Sequence, residues 1–321
     1  MPAVPGSGVK VMGRMWSPGW SSTAATSGRE LTWRARRWAS RRSLYVLSWV
    51  SRRFYGLPYH PDLFESRIFF GHLRGHYLAM PKAQVGAGFL LGTFERPVVR
   101  AFRAFVRPAS VAYDVGTSYG YHTLYLARLV GPEGTVFGFE PHPRDHRLLV
   151  QNLDMNGVRN VRPMRAAVAG ASGSVAFATF GYPGVSHIVS QATPGDADVI
   201  TVPAVSLDDF VFAQGHPAPA FIKVDVEGGE TGVLEGAQEV LRRHRPVVVA
   251  EVSAANAPRV AQLMDCLGYR AERLMGTSYQ ADMLFTPRGS GASGLAPSSA
   301  ASVWHLPVES AVSQARSQAS R

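Results

Sequence analysis

The stretch that decides the fold is Val111-Ala112-Tyr113-Asp114-Val115-Gly116-Thr117-Ser118-Tyr119-Gly120-Tyr121-His122-Thr123. Its first five residues are apolar, β-branched or aromatic around a single acid, the composition of a short buried strand. Gly116 and Gly120 frame a Gly-x-x-x-Gly turn, and Leu124, Leu126 and Leu129 continue beyond it in a helical run. Glycines at such a turn let the chain bend sharply and let a nucleotide approach backbone N–H groups with no Cβ in the way. Strand, glycine turn and helix together predict the ligand-binding edge of an α/β sheet.

Twenty residues after Gly120, a second strand-like run from Thr135 ends in Glu140. A carboxylate at that position can accept hydrogen bonds from both hydroxyls of a ribose. The dinucleotide pattern Gly-x-Gly-x-x-Gly is not met, because Ser118 stands where a middle glycine would admit a pyrophosphate. A nicotinamide cofactor is therefore disfavoured. S-adenosylmethionine has ribose and adenine but no phosphate, and its amino-acid end can use the turn's backbone and Asp114. Two glycines four apart also serve purely structural turns, so this pair alone does not decide the ligand.

A second constellation, Phe221-Ile222-Lys223-Val224-Asp225-Val226-Glu227-Gly228-Gly229-Glu230, sets Lys223, Asp225 and Glu227 at alternate positions as a strand runs out into a loop. Ligands of open parallel sheets sit at the carboxyl ends of the strands, which is where Glu140 and Asp225 should converge. So many ionisable groups in one short segment need water, partners or a ligand. Glu230 reads as a helix-terminus acid stabilised by the dipole, whereas Asp225 reads as functional.

Around these segments the hydrophobic period changes repeatedly. Val161 to Val168 and Val247 to Val252 have the length of buried strands, and Tyr279 to Phe285 reads as the last strand of the sheet. Val233, Leu234, Ala237, Val240 and Leu241 form one apolar helical stripe, ended by Arg242, Arg243, His244 and Pro246. A further helix from about Arg144 to Met155 turns Leu148, Leu149 and Leu153 inward. Strand and helix in alternation predict an α/β, Rossmann-like fold with a mostly parallel sheet and helices on both faces. The region from Val175 to Val205 breaks the alternation and reads as an inserted hairpin or loop over the sheet edge.

The chain has 321 residues, 46% hydrophobic and 17% charged, as a globular protein does. Its one cysteine, Cys266, excludes an internal disulfide and multi-cysteine zinc sites, and in its apolar run it reads as a small buried side chain. Of the net charge of +10, nearly all lies in residues 1 to 53, where Lys10 and nine arginines face Glu30 alone. The rest is close to neutral, so no nucleic-acid partner is expected. Residues 1–55 read as a basic, disordered leader, able to make weak membrane-surface contact or to serve targeting. Residues 56–110 read as a helical cap on the substrate side, 111–287 as the cofactor-binding domain, and 288–321 as a disordered tail rich in Ser, Ala and Gly. No run is long enough to span a bilayer, and the expected location is cytoplasmic.

Asp114-Val115-Gly116 with Gly120, Phe139-Glu140-Pro141, Asn152-Leu153 with Asn156, Ser206-Leu207-Asp208-Asp209-Phe210, Ile222-Lys223-Val224-Asp225-Val226-Glu227-Gly228 and Glu251 form a longer pattern. From about Gly92 to Phe285 it resembles the FkbM-type methyltransferases. The resemblance implies the seven-stranded class I methyltransferase fold, S-adenosyl-L-methionine as methyl donor, and a hydroxyl of a sugar, glycolipid or polyketide-like small molecule as acceptor. By position, Asp114, Gly116 and Gly120 would line the methionine end and Glu140 the ribose, with Ala166 and Ala167 bordering the adenine. Thr117-Ser118 departs from the family's usual Ala-Asn.

A hydroxyl acceptor has to lose its proton, which a base at the strand ends would assist. Asp225 and Glu227 are the candidates, with His187 of the inserted segment third. Asp225, Glu227 and Glu251 could instead hold Mg²⁺, whose preference for oxygen suits carboxylates, although a metal is not favoured. The pairs His72 with His76 and His142 with His146 have helix-face spacing but lack the glutamate of a metalloprotease helix. The rival readings are a nicotinamide-dependent oxidoreductase on a related sheet and a non-catalytic cofactor-binding module.

Overall fold

The computed structural model describes residues 63–179, 187–188 and 198–289. The leader, all but the first two residues of the tail, and the turn at Gly181 to Ser186 lie outside the described residues. The segment before the sheet opens with an antiparallel pair, β1 (Leu63–Arg67) and β2 (Tyr77–Pro81), followed by a short helix α1 (Ala87–Leu90) and a longer one, α2 (Arg96–Phe105). The strand pair is not legible in the sequence because Leu63, Phe64, Glu65 and Ser66 are all buried, which removes the two-residue alternation of a half-exposed strand.

The sheet domain then alternates β3 (Val111–Val115), α3 (Tyr121–Val130), β4 (Thr135–Phe139), α4 (Pro143–Met155) and β5 (Val161–Met164). An insertion follows: β6 (Ala167–Val168), β7 (Gly173–Thr179), β8 (His187–Ile188) and β9 (Asp198–Val205) form a separate four-stranded sheet in which β7 pairs antiparallel with both β8 and β9. The chain returns through β10 (Phe221–Val224), α5 (Glu230–Glu235), α6 (Gln238–His244), β11 (Val247–Ser253), α7 (Ala257–Cys266), β12 (Tyr269–Gly276) and β13 (Gln280–Pro287).

The main sheet has seven strands in the order β12-β13-β11-β10-β3-β4-β5, and only β13 runs antiparallel to its neighbours. This is the expected mostly parallel sheet with helices on both faces. On one face Leu124, Leu126, Leu148, Leu149 and Phe102 pack on Ala112, Val136 and Phe221. On the other, Val233, Leu234, Val240, Leu241 and Val260 pack on Tyr113, Val115, Ile222 and Val248. Each such side chain withdrawn from water contributes roughly 1.5–3 kcal/mol before entropy is counted. Strand order reverses between β3 and β10, which opens a crevice at their carboxyl ends.

Two sequence expectations change. The apolar stripe from Val233 to Leu241 is buried as expected but belongs to two helices, α5 and α6. At the break, Gly236 comes so close to the insertion that a Cβ there would lie 2.3 Å from the Ala169 carbonyl oxygen. Asp208 then caps α6 from outside, its carboxylate accepting from the N–H groups of Glu239 and Val240 at 3.0 and 2.8 Å. Cys266 is exposed rather than buried, because α7 buries Ala257, Val260 and Met264 and Cys266 lies off that stripe. Among the described residues, no helix is long and apolar enough to cross a membrane.

The Asn152 and Asn156 pair of α4 fastens the strand pair to the domain. Asn156 bonds the N–H and carbonyl of Tyr77, and Asn152 bonds those of Ala79, all at 2.7 to 2.8 Å. The two amides thus satisfy the outer edge of β2 as a neighbouring strand would.

Candidate cofactor and acceptor site

A cavity of about 390 Å³ lies in the crevice, a volume suited to a small-molecule ligand. Gly116, Thr117, Ser118 and Tyr119 of the turn after β3 form its floor. Gly116 has φ +85°, and a Cβ on it would lie 1.7 Å from the Asp225 carbonyl oxygen, so the ends of β3 and β10 can meet only at a glycine. Gly120 serves another purpose: with φ +91° it lets α3 pack on α4, where a Cβ would meet Leu149 at 2.5 Å. Ser118 takes the left-handed region at φ 49°, a conformation that Asn adopts more readily than Ser.

Glu140 lines this cavity. Its Oε2 accepts from the Ser118 N–H at 2.8 Å and its Oε1 from the His142 N–H at 2.9 Å. Each oxygen keeps a further lone pair for a diol. Burial pushes this carboxyl up to about 8, with Asp145 adding to the rise and the two backbone donors opposing it. Phe139, Pro141, Ala167, Val168, Phe177 and Ile188 make an apolar wall beside it, fit for a flat heterocycle.

Another part of the lining is rich in charge. Lys223 is buried with its ammonium 2.9 Å from Asp225 and 3.9 Å from Asp114. Asp114 also accepts from the Thr123 hydroxyl at 2.6 Å. Burial works to lower the Lys223 pKa, but Asp225, Asp114 and Glu95 together outweigh it and hold the group above the usual lysine value. Burial likewise works to raise Asp225, and Lys223 overrides it, leaving that carboxylate below its usual range. Glu227 is pushed up to about 7 by burial and then by Asp225 and Glu230, and Glu251 to about 9 by burial, Asp225 and Asp282. Asp225, Glu227 and Glu251 each bring a carboxylate oxygen within 4.8 Å of the others. Glu230 is structural: it is buried, accepting from the Gly228 N–H at 2.8 Å and from the Asn256 amide at 2.6 Å.

Of the residues singled out from the sequence, Gly116, Glu140, Ala167, Asp225 and Glu227 line this cavity. Asp114 is fully buried behind its wall, engaged with Lys223 and Thr123. Gly120 and Ala166 are not part of the lining. His187 lies in β8 next to the lining residue Ile188, and its side chain falls outside the described residues. Sequence reasoning missed the opposite wall, made by Gln84, Phe89, Phe94 and Glu95 from the segment before the sheet and by His122 from α3. His122 Nε2 sits 3.4 Å from a Glu95 carboxylate oxygen. Burial and then Lys223 hold His122 well below the usual imidazole value, and Glu95 is raised to about 7, chiefly by burial. His122 is two residues past Gly120 and could have been noticed; nothing in the sequence ties Glu95 to it.

Comparison with known proteins adds a family. The Methyltransferase FkbM domain family matches residues 114–271. That segment is an FkbM methyltransferase domain. The FkbM domain begins at Asp114 on β3 and ends on β12, so it includes Glu140, Asp225, Glu227 and Glu251 but none of the α1–α2 wall. The chain is 30% identical over 167 residues to the hexuronic acid methyltransferase AglP of Haloferax volcanii, across 51% of this chain and 65% of that protein. It therefore spans less than two thirds of that relative's length. Among solved structures, an FkbM methyltransferase from Methylobacillus flagellatus shares 18% identity at a TM-score of 0.40, covering 58% of this chain and 50% of that one. Aeropyrum pernix fibrillarin with bound S-adenosyl-L-methionine shares 16% at a TM-score of 0.37, covering 57% and 68%.

The cofactor that the FkbM family implies is S-adenosylmethionine. The cavity fits it on three counts: a diol-accepting carboxylate at Glu140, an apolar slot beside it, and a cradle at Gly116 that a Cβ would fill. The Asp225 carboxylate, kept ionised by Lys223, suits the positive charges of its sulfonium and ammonium groups.

Proposed function

We propose that the chain transfers a methyl group from S-adenosylmethionine to a hydroxyl oxygen of a sugar-like small molecule. The observation that carries this reading is one cavity lined by Glu140 together with Asp225, Glu227 and Glu251. When bound, the cofactor supplies an electrophilic methyl group. The rest falls to the chain's residues. Glu140, oriented by the Ser118 and His142 N–H groups, accepts the ribose hydroxyls and fixes the ligand lengthwise. Much of the barrier reduction then comes from holding the acceptor oxygen at near-attack distance.

Asp225 is kept ionised by Lys223 and is a poor base, so its work is to place negative charge beside the methionine end. Glu227, near 7, is the better proton acceptor at neutral pH, a contribution of roughly 10² to 10⁴ in rate. His187 is a third candidate from the inserted sheet. AglP is named for a hexuronic acid, which supports a sugar acceptor here as well.

Isothermal titration with S-adenosylhomocysteine is expected to give binding in the micromolar range, and NADH binding in its place would overturn the reading. Incubation with labelled donor and a cell extract, followed by mass spectrometry, should yield a methylated glycan or small molecule. Cofactor binding with no labelled acceptor would favour a non-catalytic module.

A further inference from the structure

Helix α2 buries Val98, Ala101 and Phe102 and turns Arg96, Arg100 and Arg103 outward at i, i+4 and i+7, with Arg107 just past its end. All four are exposed, and none forms an ion pair among the described residues. Arg159, Arg242, Arg243, Arg259 and Arg288 each lie within 4.0 Å of a carboxylate, and other exposed arginines such as Arg144, Arg162 and Arg270 are also without an ion pair among the described residues; what sets the α2 arginines apart is that three of them share one helix face. An uncompensated row of arginines on one helix face is a strong local positive field.

The field extends to the neighbouring loop between β1 and β2. His72 is held below the usual imidazole value by burial and then by Arg128 and Arg103, and His76 by burial and then Arg128. Arg128 and Arg74, the latter within that loop, are exposed and likewise without an ion pair among the described residues. At the start of the loop Phe70 is 60% exposed. Leu91, 42% exposed, stands beside it, since the Phe69 N–H donates to the Leu90 carbonyl and the backbones of Gly71 and Gly92 touch. Two large apolar side chains at adjacent loop tips, flanked by six unpaired arginines, combine the two elements of a membrane-surface contact.

We propose that this face docks on an anionic lipid bilayer, with Phe70 and Leu91 set among the headgroups and the α2 arginines, Arg74 and Arg128 against their phosphates. A nucleic acid could engage the arginines and stack a base on Phe70 but would leave the Leu91 side chain without an apolar partner. The sequence before β1 has the same sign, with Lys10 and nine arginines against Glu30 in residues 1 to 53. The inference is independent of the reaction proposed above.

The test uses the full chain in sedimentation with vesicles of phosphatidylcholine alone or with about a third phosphatidylglycerol. Binding is expected to the anionic vesicles only and to weaken as salt is raised. Replacing Arg100, Arg103 and Arg107 together by Gln should weaken it about 100-fold, since each basic residue near an anionic surface contributes a factor of about five. The corresponding Lys replacements should keep most of it. Phe70→Ser with Leu91→Ser should weaken binding about tenfold with the arginines intact. Unchanged S-adenosylhomocysteine affinity verifies that each variant is folded. Wild-type vesicle binding by the Gln variant would assign the contact to residues 1 to 53 and overturn the proposal. So would equal binding to neutral vesicles, or binding to RNA in place of vesicles.

Discussion

Asn152→Ala is the substitution on which the packing account is most exposed. The side chain is fully buried; its Oδ1 accepts from the Ala79 N–H at 2.7 Å, and its amide donates to the carbonyls of Ala79 at 2.8 Å and Tyr119 at 2.7 Å. Truncation orphans one buried N–H and two buried carbonyls. Each unpaired group costs roughly 1–3 kcal/mol, and relaxation recovers part of that, so the net loss is expected at about 3–5 kcal/mol. That is a large share of the roughly 5–15 kcal/mol by which a domain is stable. Urea unfolding should show a midpoint lower by about 1.5–2 M at an unchanged slope. Because Tyr119 also lines the cavity, S-adenosylhomocysteine affinity should fall about tenfold. Asn152→Asp should be worse still, since a carboxylate would face two carbonyl oxygens. A midpoint within about 0.5 M of wild type, or an Asp variant more stable than the Ala variant, would refute the reasoning.

Other tests address the site directly. Glu140→Gln sets an amide N–H₂ against the Ser118 or the His142 N–H, and should weaken S-adenosylhomocysteine binding at least tenfold with the fold intact; unchanged affinity removes Glu140 from the ribose end. Gly116→Ala places a Cβ into the Asp225 carbonyl at a left-handed φ, and should abolish measurable cofactor binding; a variant that binds as wild type contradicts the contact. Glu227→Gln should lower kcat about 100-fold with cofactor affinity nearly unchanged, whereas wild-type kcat would shift the base to another group. In the ligand-free fold Glu95, Glu227, Glu140 and Glu251 stand at about 7, 7, 8 and 9, all above their unfolded values. Each stays protonated longer in the fold, so stability falls as pH rises from the unfolded value to the folded one. His122, held neutral by burial, acts in the opposite direction, but its contribution is complete by about pH 6.5. The melting temperature of ligand-free protein should therefore drop between about pH 6.5 and 8.5, and a rise over that interval would contradict these assignments.

Much of the domain is legible in the sequence because its buried strands announce themselves. Val111–Val115 and Phe221–Val224 are short apolar runs that end in glycine or acid, and the period shift to the helices after them is plain. Glu140 follows β4 and Asp225 follows β10, the two parallel neighbours of β3, so both are set at the carboxyl rim of the sheet. What the sequence does not reveal depends on contacts far apart along the chain. The break at Gly236 is set by the Ala169 carbonyl and by Asp208, neither of which local periodicity can show. Glu95 reaches His122 only because the segment before β3 folds back over the turn, and Asn152 shows its purpose only once β2 lies against it. Asp114 stands at the motif position that suggests ligand contact, and the sequence does not show that it also pairs with the buried Lys223 of the neighbouring strand.

The split between the two walls of the cavity has a consequence for chain grafting. Glu140 and Asp225 belong to the domain that this chain has in common with its relatives, whereas Phe89, Phe94 and Glu95 come from upstream of it. The cavity is thus walled by residues from two separate stretches of the chain. Exchanging residues 63–110 would redraw one wall of the cavity while leaving Glu140 and Asp225 in place, so a graft of a relative's upstream segment onto residues 111–287 is expected to keep S-adenosylhomocysteine binding and to change what fits beside it.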